Sequence, residues 1–124
     1  MTTFYICKTC GKIIETVKPG VPDTICCGSP MNELVPNTSE GAGEKHLPVV
    51  KVEDGNIFVN VGEVDHPMQD VHYIEWIVLE TDKGLYRRNL KPGDKPSAVF
   101  TLNDEKPVAV YAYCNLHGLW KTEL

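Results

Sequence analysis

The chain has 124 residues and a mass of 13.8 kDa, with 42% hydrophobic and 23% charged residues. This composition is typical of a globular protein with one ordinary core, or with a smaller core and a metal-stabilised module. The formal net charge of -5 argues against a broad basic face for nucleic acid, and no apolar run is long enough to cross a membrane.

The distribution of cysteines predicts the cellular compartment. The N-terminal segment lacks the apolar core of a secretory signal peptide. Five cysteines are present, and four of them lie within the first 27 residues. A secreted disulfide framework would use an even number at dispersed positions, so we expect a reducing cytoplasm and metal-bound thiolates.

Residues 1–36 are predicted to form a first domain, a small β module held together by a metal. The segment is short and punctuated by glycine and proline, so it cannot bury enough apolar surface to fold unaided. Cys7-x-x-Cys10 followed by the adjacent pair Cys26 and Cys27 supplies four thiolates, the usual set for a tetrahedral site. The adjacent pair predicts a distorted tetrahedron. Zinc and iron both accept this set, so the spacing leaves the metal open.

Residues 37–124 are predicted to form a second domain, an immunoglobulin-like antiparallel β-sandwich. A polar loop over residues 36–43 precedes it, and no stretch shows a helical period. Short apolar segments separated by turn residues predict the strands. The clearest segments cover residues 57–61, 72–79, 98–102 and 108–113.

Alternation along two of these strands predicts which side chains point inward. It places His72 on one apolar face with Ile74 and Trp76, and Cys114 on another with Ala112. Two inward-facing ligands on different strands are consistent with a single site.

Four histidines and one cysteine remain outside the first cluster. A single histidine near a strand end is usually a packed or solvated side chain. Five such residues at strand ends and loops, which a sandwich can bring together, predict a second metal site. They are His46, His66, His72, Cys114 and His117.

The motifs around both clusters resemble those of desulfoferrodoxin, the two-iron superoxide reductase, over nearly the whole chain. The N-terminal cysteine pattern resembles desulforedoxin, a small rubredoxin-like iron module. The remaining motifs are Glu44-Lys45-His46, His66-Pro67-Met68, His72-Tyr73-Ile74 and Cys114-Asn115-x-His117-Gly118-x-Trp120.

The resemblance implies two iron ions per chain, one on the four N-terminal cysteines and one on the set of four histidines and Cys114. Around the second iron it implies four equatorial histidines, an axial Cys114 thiolate and a sixth position open to substrate or to Glu44. The implied reaction is one-electron reduction of superoxide to hydrogen peroxide without dismutation. The implied donor is rubredoxin or a similar small redox protein, and the implied assembly is a homodimer in the cytoplasm of an anaerobic or microaerophilic microbe.

Two further residues receive catalytic roles through the resemblance. Lys45 is expected to attract the anion and to hydrogen-bond the peroxide, although a lysine in general is most often a solvated side chain. Glu44 is expected to close on the oxidised iron after peroxide leaves. Gly41 and Gly43 give its loop the freedom to move.

Three alternatives compete with this interpretation. A cupredoxin-like or rubredoxin-like electron-transfer protein would lack catalysis, but a cupredoxin copper usually has an axial methionine after its last histidine, and no methionine follows Met68. A zinc-ribbon binding protein would leave the second cluster without a role. A superoxide dismutase would have to oxidise superoxide as well as reduce it.

Overall fold

The computed structural model describes residues 2–21 and 23–124, and these residues are mostly β-strand. The chain divides into two compact units, the first ending at Val35 and the second being Pro36–Leu124. The boundary expected from the sequence lies one residue later, after Pro36. Within the described residues, no helix has the length and apolar character needed to cross a membrane.

The first unit consists of short strands with few buried apolar side chains. In chain order the strands are β1 (Phe4–Ile6), β2 (Ile13–Glu15), β3 (Ile25–Cys26), β4 (Ser29–Pro30) and β5 (Asn32–Glu33). They form a three-stranded antiparallel sheet in the order β2-β1-β5 and a two-stranded β3-β4 hairpin. Its buried hydrophobic residues in the described ranges are Phe4, Cys7 and Met31. So small a core needs a further stabilising element.

The second unit is an antiparallel β-sandwich preceded by a single helical turn. Its elements are α1 (Gly43–His46), β6 (Pro48–Glu53), β7 (Asn56–Val61), β8 (Ile74–Thr81), β9 (Leu85–Asn89), β10 (Ser97–Thr101), β11 (Pro107–Cys114) and β12 (Gly118–Glu123). One sheet has the order β10-β7-β6 and the other the order β12-β11-β8-β9. The predicted mostly β chain, with a small module followed by an antiparallel sandwich, is confirmed.

Both sheets contribute to one hydrophobic core. Along β7, Ile57, Val59 and Val61 are buried whereas Phe58 is exposed, as the alternation predicts. Full burial of such a side chain contributes about 1.5–3 kcal/mol. The core residues are Ile57, Val59, Val61, Ile74, Ile77, Leu79, Ala98, Phe100, Val110, Ala112 and Cys114.

The alternation predicted for β8 is wrong beyond Ile74. Ile74 belongs to the core, but the next core residues of this strand are Ile77 and Leu79 rather than Trp76. The strand therefore changes faces between residues 74 and 77.

A β-bulge at Glu75 causes this change. Cys114 pairs with Ile74, whereas the preceding residue of β11, Tyr113, pairs with Trp76. Two consecutive residues of β11 therefore pair with residues of β8 that are two positions apart. Glu75, which lies between them, is the extra residue of the bulge. Beyond the bulge, Trp76 stacks on Tyr113 with ring centroids 5.5 Å apart and planes 12° apart.

The polar loop predicted over residues 36–43 begins as an attachment to β12. The Asn37 backbone N–H donates to the Leu119 carbonyl (3.0 Å), and its side-chain amide donates to the Lys121 carbonyl (3.1 Å). The Lys121 N–H donates in return to the Asn37 side-chain oxygen (2.9 Å). These bonds fix the start of the loop that leads into α1.

Gly62, just after β7, lies against the backbone that carries His46. A Cβ at this position would lie 2.6 Å from the Glu44 carbonyl oxygen and 3.0 Å from that of Leu47. Only glycine fits this approach without moving one segment away from the other.

We expect Gly62→Ala to lower the free energy of unfolding by about 1–3 kcal/mol, because the contacted atoms are backbone and cannot rotate away. Chemical denaturation measures the change. Gly20→Ala is the matched control, since an added Cβ there meets no atom within 4 Å. Equal unfolding midpoints for the two variants would contradict the close approach.

Candidate metal centres

The four N-terminal cysteine sulfurs form one compact group in the first unit. All four lie within 4.8 Å of one another. The Cys26 sulfur is 3.7 Å from that of Cys10 and 4.0 Å from that of Cys27. Sulfurs about 2.3 Å from a shared ion lie about 3.8 Å apart in a regular tetrahedron. Cys27, the second member of the adjacent pair, has a φ of 51°, in the left-handed region.

The protonation of these sulfurs indicates that a cation belongs between them. A hydrogen bond from the Cys10 backbone amide lowers the pKa of Cys7 to about 6, so that Cys7 is a thiolate at neutral pH. Hydrogen bonding with Cys7 and with Cys10 raises the pKa of Cys26 to about 12. Four crowded sulfurs cannot all ionise alone, and a bound cation removes this conflict.

The second group, called the histidine cage below, lies at one end of the sandwich and combines residues from five places in the chain. Its ligand atoms also lie within 4.8 Å of one another. His46 ends α1, His66 follows β7, His72 precedes β8, Cys114 ends β11, and His117 lies in the turn before β12.

The four imidazole rings are arranged as a square. Neighbouring ring centroids are 4.6 Å (His46–His66), 4.7 Å (His66–His72), 5.1 Å (His72–His117) and 4.8 Å (His46–His117) apart. The diagonal from His46 to His72 is 6.5 Å. His46 therefore stands opposite His72, and His66 opposite His117.

Two of these histidines direct unprotonated nitrogens at each other. His46 Nδ1 lies 2.8 Å from the Ala42 carbonyl oxygen and His66 Nδ1 lies 2.7 Å from that of Pro67. A carbonyl only accepts, so each Nδ1 carries the proton of its neutral ring and each Nε2 has a free lone pair. The two Nε2 atoms are 3.1 Å apart. Nitrogens about 2.1 Å from one ion at right angles lie about 3.0 Å apart, so the pair fits a metal.

The other two histidines complete the donor set. His72 Nε2 is buried and has no hydrogen-bond partner among the described residues. Such an atom costs about 1–3 kcal/mol unless something binds it. His117 presents Nδ1 to the same centre, 3.1 Å from His46 Nε2 and 3.9 Å from the Cys114 sulfur.

Burial favours the neutral, ligating form of three imidazoles, those of His46, His66 and His72. It lowers the pKa of His66 to about 4, and it also lowers the pKa of His46 and His72. Burial raises the pKa of the Cys114 thiol, so this sulfur is a thiolate when a metal compensates its charge.

Trp120 supports two of the ligands at once, a role that the sequence did not reveal. Its ring stacks on His46 with centroids 4.9 Å apart and planes 23° apart. Its indole N–H donates to the His117 carbonyl oxygen at 3.1 Å. Such contacts fix ring orientation in metal sites.

Asn115 joins the turn after Cys114 to the segment that carries His72. Its side-chain amide donates to the Val71 carbonyl (3.0 Å), and its side-chain oxygen accepts from the Tyr73 N–H (3.0 Å). Both residues flank His72 directly. Asn115 was part of a recognised motif, but its clamping role depends on contacts across 42 and 44 positions in the chain.

The structure brings the nine predicted ligands together in two groups, and the two residues predicted to be catalytic directly precede His46 in the chain. Glu44 and Lys45 precede His46 in α1, and both are exposed. After burial and the neighbouring histidines, the positive charge of Lys45 is a further cause of the lowered pKa of His46 and His72.

A four-cysteine β module followed by a β-sandwich with the histidine cage defines a metalloprotein with two centres. The family described as desulfoferrodoxin matches residues 38–123, and the family described as desulfoferrodoxin, N-terminal domain, matches residues 2–34. The chain belongs to the desulfoferrodoxin family, as its motifs predicted.

Named relatives and solved structures agree with this assignment. The desulfoferrodoxin of Syntrophotalea carbinolica is 48% identical over 119 residues, which are 96% of this chain and 94% of the relative. The superoxide reductase of Thermococcus kodakarensis is 36% identical over 66% of this chain and 87% of its own length. The crystal structure of the superoxide reductase from Treponema pallidum has a TM-score of 0.83 and 31% identity, with 99% of both chains covered.

We expect Asn115→Ala to accelerate loss of the second iron to a chelator on the order of 10-fold, because the clamp between two ligand-bearing segments is lost. Iron release is followed by absorbance after chelator addition. Asn56→Ala is the control. It removes a hydrogen bond from the Thr101 hydroxyl within the β10-β7-β6 sheet and leaves the turn after Cys114 intact. Equal release rates in both variants would show that Asn115 does not hold the cage.

Proposed function

We propose that the chain is a superoxide reductase that converts superoxide to hydrogen peroxide at iron held by the histidine cage. The supporting observation is the square of four imidazole nitrogens with a cysteine sulfur in the same group, in a chain related to named superoxide reductases. Five protein donors leave one position of a six-coordinate ion for substrate.

The reaction adds one electron and two protons to superoxide and leaves its O–O bond intact. Iron bound by these residues would supply the electron. A metal held by four imidazoles would remain cationic toward the anion, and we propose that the Cys114 thiolate would donate electron density to that metal. The Nδ1 protons of His46 and His66 stay on the carbonyls of Ala42 and Pro67, so these rings keep their Nε2 lone pairs for the metal.

The assay that tests this function is rapid mixing of reduced, iron-loaded protein with superoxide. A reductase produces one peroxide per superoxide and no dioxygen, whereas a dismutase produces one peroxide and one dioxygen from two. Stepwise oxidation should also give two successive thiolate-to-iron absorptions, one for each centre. If fully reduced, fully loaded protein failed to consume superoxide, the electron-transfer alternative would replace the enzyme.

We propose that Lys45 attracts superoxide and hydrogen-bonds the departing peroxide. Lys45 directly precedes the predicted ligand His46, and the segments next to the histidines otherwise carry the acidic residues Glu40, Glu44, Glu63, Asp65 and Asp70. A local positive charge offsets this acidic setting, because association depends on the field at the site.

Lys45→Ala should slow the initial reaction with superoxide by about 10-fold at low salt and weaken its dependence on ionic strength. Stopped-flow or pulse-radiolysis rates measure both effects. Lys51→Ala is the control of equal charge change, since Lys51 is an exposed residue of β6 that pairs with Glu53 at 3.6 Å. Equal rates for Lys45→Ala and the parent at low salt would remove the steering role.

We propose that the Glu44 carboxylate would bind the oxidised metal after peroxide has left and does not donate a proton. Glu44→Ala should therefore leave the first reaction of the ferrous protein within about 2-fold while changing the absorption of the oxidised centre, because a ligand to that state is lost. The same rapid-mixing traces report both. Abolition of the first reaction would assign Glu44 to proton delivery instead.

We propose that the N-terminal iron is a one-electron centre or a fold stabiliser that superoxide reduction does not require. Cys10→Ser should remove this iron, because an exposed thiolate of the four-cysteine group is lost, and should leave the rate with superoxide near that of the parent. Iron content and rapid-mixing rates check the expectation. Loss of activity with the second iron still bound would contradict it.

The proposed setting follows from the same resemblance. We propose domains at residues 1–36 and 37–124, a homodimer, a cytoplasmic location and a rubredoxin-like electron donor. All five cysteines are free and belong to the two groups of candidate metal ligands. Free thiols of this kind suit a reducing compartment.

A further inference from the structure

Glu75 lies across the sheet from Cys114 because of the bulge in β8. Ile74 pairs with Cys114 and Trp76 pairs with Tyr113, so Glu75 stands opposite the peptide bond that joins Tyr113 to Cys114. Bulges beside active sites direct a side chain to a place that regular alternation would not give it. The position of this carboxylate is thus tied to the strand that carries the sulfur ligand.

The bulge is held from its other side as well. The Leu90 backbone N–H donates to the Glu75 carbonyl at 2.8 Å. The Glu75 side chain is half-buried, and burial raises its pKa. A partly desolvated carboxylate acts over a longer distance than one in water, because solvent screens it less.

The Cys114 sulfur is subject to two opposing influences. The backbone amides of Leu116 and His117, in the turn after β11, hydrogen-bond the sulfur and draw electron density away from it. The negative charge of Glu75, opposite the Tyr113–Cys114 peptide bond, acts in the other direction, because a nearby negative charge makes the sulfur a stronger electron donor.

We propose that Glu75 is a positioning residue that acts through Cys114: its carboxylate charge strengthens the electron donation of the thiolate and lowers the reduction potential of the metal in the histidine cage. A nearby negative charge stabilises the more positive, oxidised metal, so the reduced centre becomes a stronger electron donor. The inference rests on the proposed function only in assigning iron to this cage.

Glu75→Gln keeps the shape of the side chain and removes its charge, so it tests this inference in the full chain with both irons bound. In a redox titration, the midpoint potential of the iron in the histidine cage should rise. Its thiolate-to-iron absorption should move to shorter wavelength, because the sulfur becomes a weaker donor. The four-cysteine centre of the same sample should keep its potential and serves as an internal reference.

Two further variants separate charge from structure. Glu80→Gln is the matched control in the same strand, where the Glu80 carboxylate accepts a hydrogen bond from the Tyr111 hydroxyl at 3.0 Å, farther from the cage. It should leave the potential of the iron in the histidine cage unchanged. Glu75→Asp retains the charge and should stay close to the parent protein.

An unchanged potential in Glu75→Gln would overturn the inference, as would an equal shift of both centres or an equal shift in Glu80→Gln. A Glu75→Asp protein that matched Glu75→Gln would also overturn it. Failure of the proposed function is distinguishable, because iron-loaded parent protein that does not consume superoxide would still give the two potentials.

Discussion

The metal site of the second unit depends on the close contact between the unprotonated nitrogens of His46 and His66, which are 3.1 Å apart. Two lone pairs at this distance repel, and only a cation between them makes the contact favourable. The surrounding backbone nevertheless holds them there: the carbonyls of Ala42 and Pro67 fix the protons on the far sides of both rings. Holding these nitrogens together without a metal destabilises the sandwich, and metal binding removes this cost. The ligands are therefore preorganised, as metal catalysis requires.

The two units offer a metal two different kinds of site. The first has few buried apolar side chains, and its four sulfurs satisfy a tetrahedral ion completely, as structural or electron-transfer sites do. The second has a continuous core from both sheets, so its fold does not rest on the metal alone. Its five donors leave a coordination position open. The closed four-cysteine site suits an electron carrier or a structural metal, and the open site suits a centre that binds substrate.

The sequence was sufficient to divide the cysteines and histidines into two groups, because these residue types are chemically distinctive and every one of them belongs to a group. It was also sufficient for β7, where Ile57, Val59 and Val61 alternate without interruption. It failed along β8, because a bulge is a property of two paired strands and single-strand alternation contains no sign of it. The hydrogen bonds from His46 and His66 to the carbonyls of Ala42 and Pro67 could not be predicted from the sequence either. Every residue has a carbonyl, and only the fold determines which one accepts a hydrogen bond from a histidine.

The donor sets of the two metal centres have a consequence for how the protein acquires its metals. Thiolate and imidazole at these spacings accept zinc at nearly the same distances as iron, and zinc binds such ligands more tightly than ferrous iron in the Irving–Williams order. Selection therefore falls to the relative supply of the two metals while the chain folds. Protein made in a zinc-rich, iron-poor cell would be folded and colourless. The visible absorption of a preparation would therefore depend on the zinc and iron available to the cells that made it.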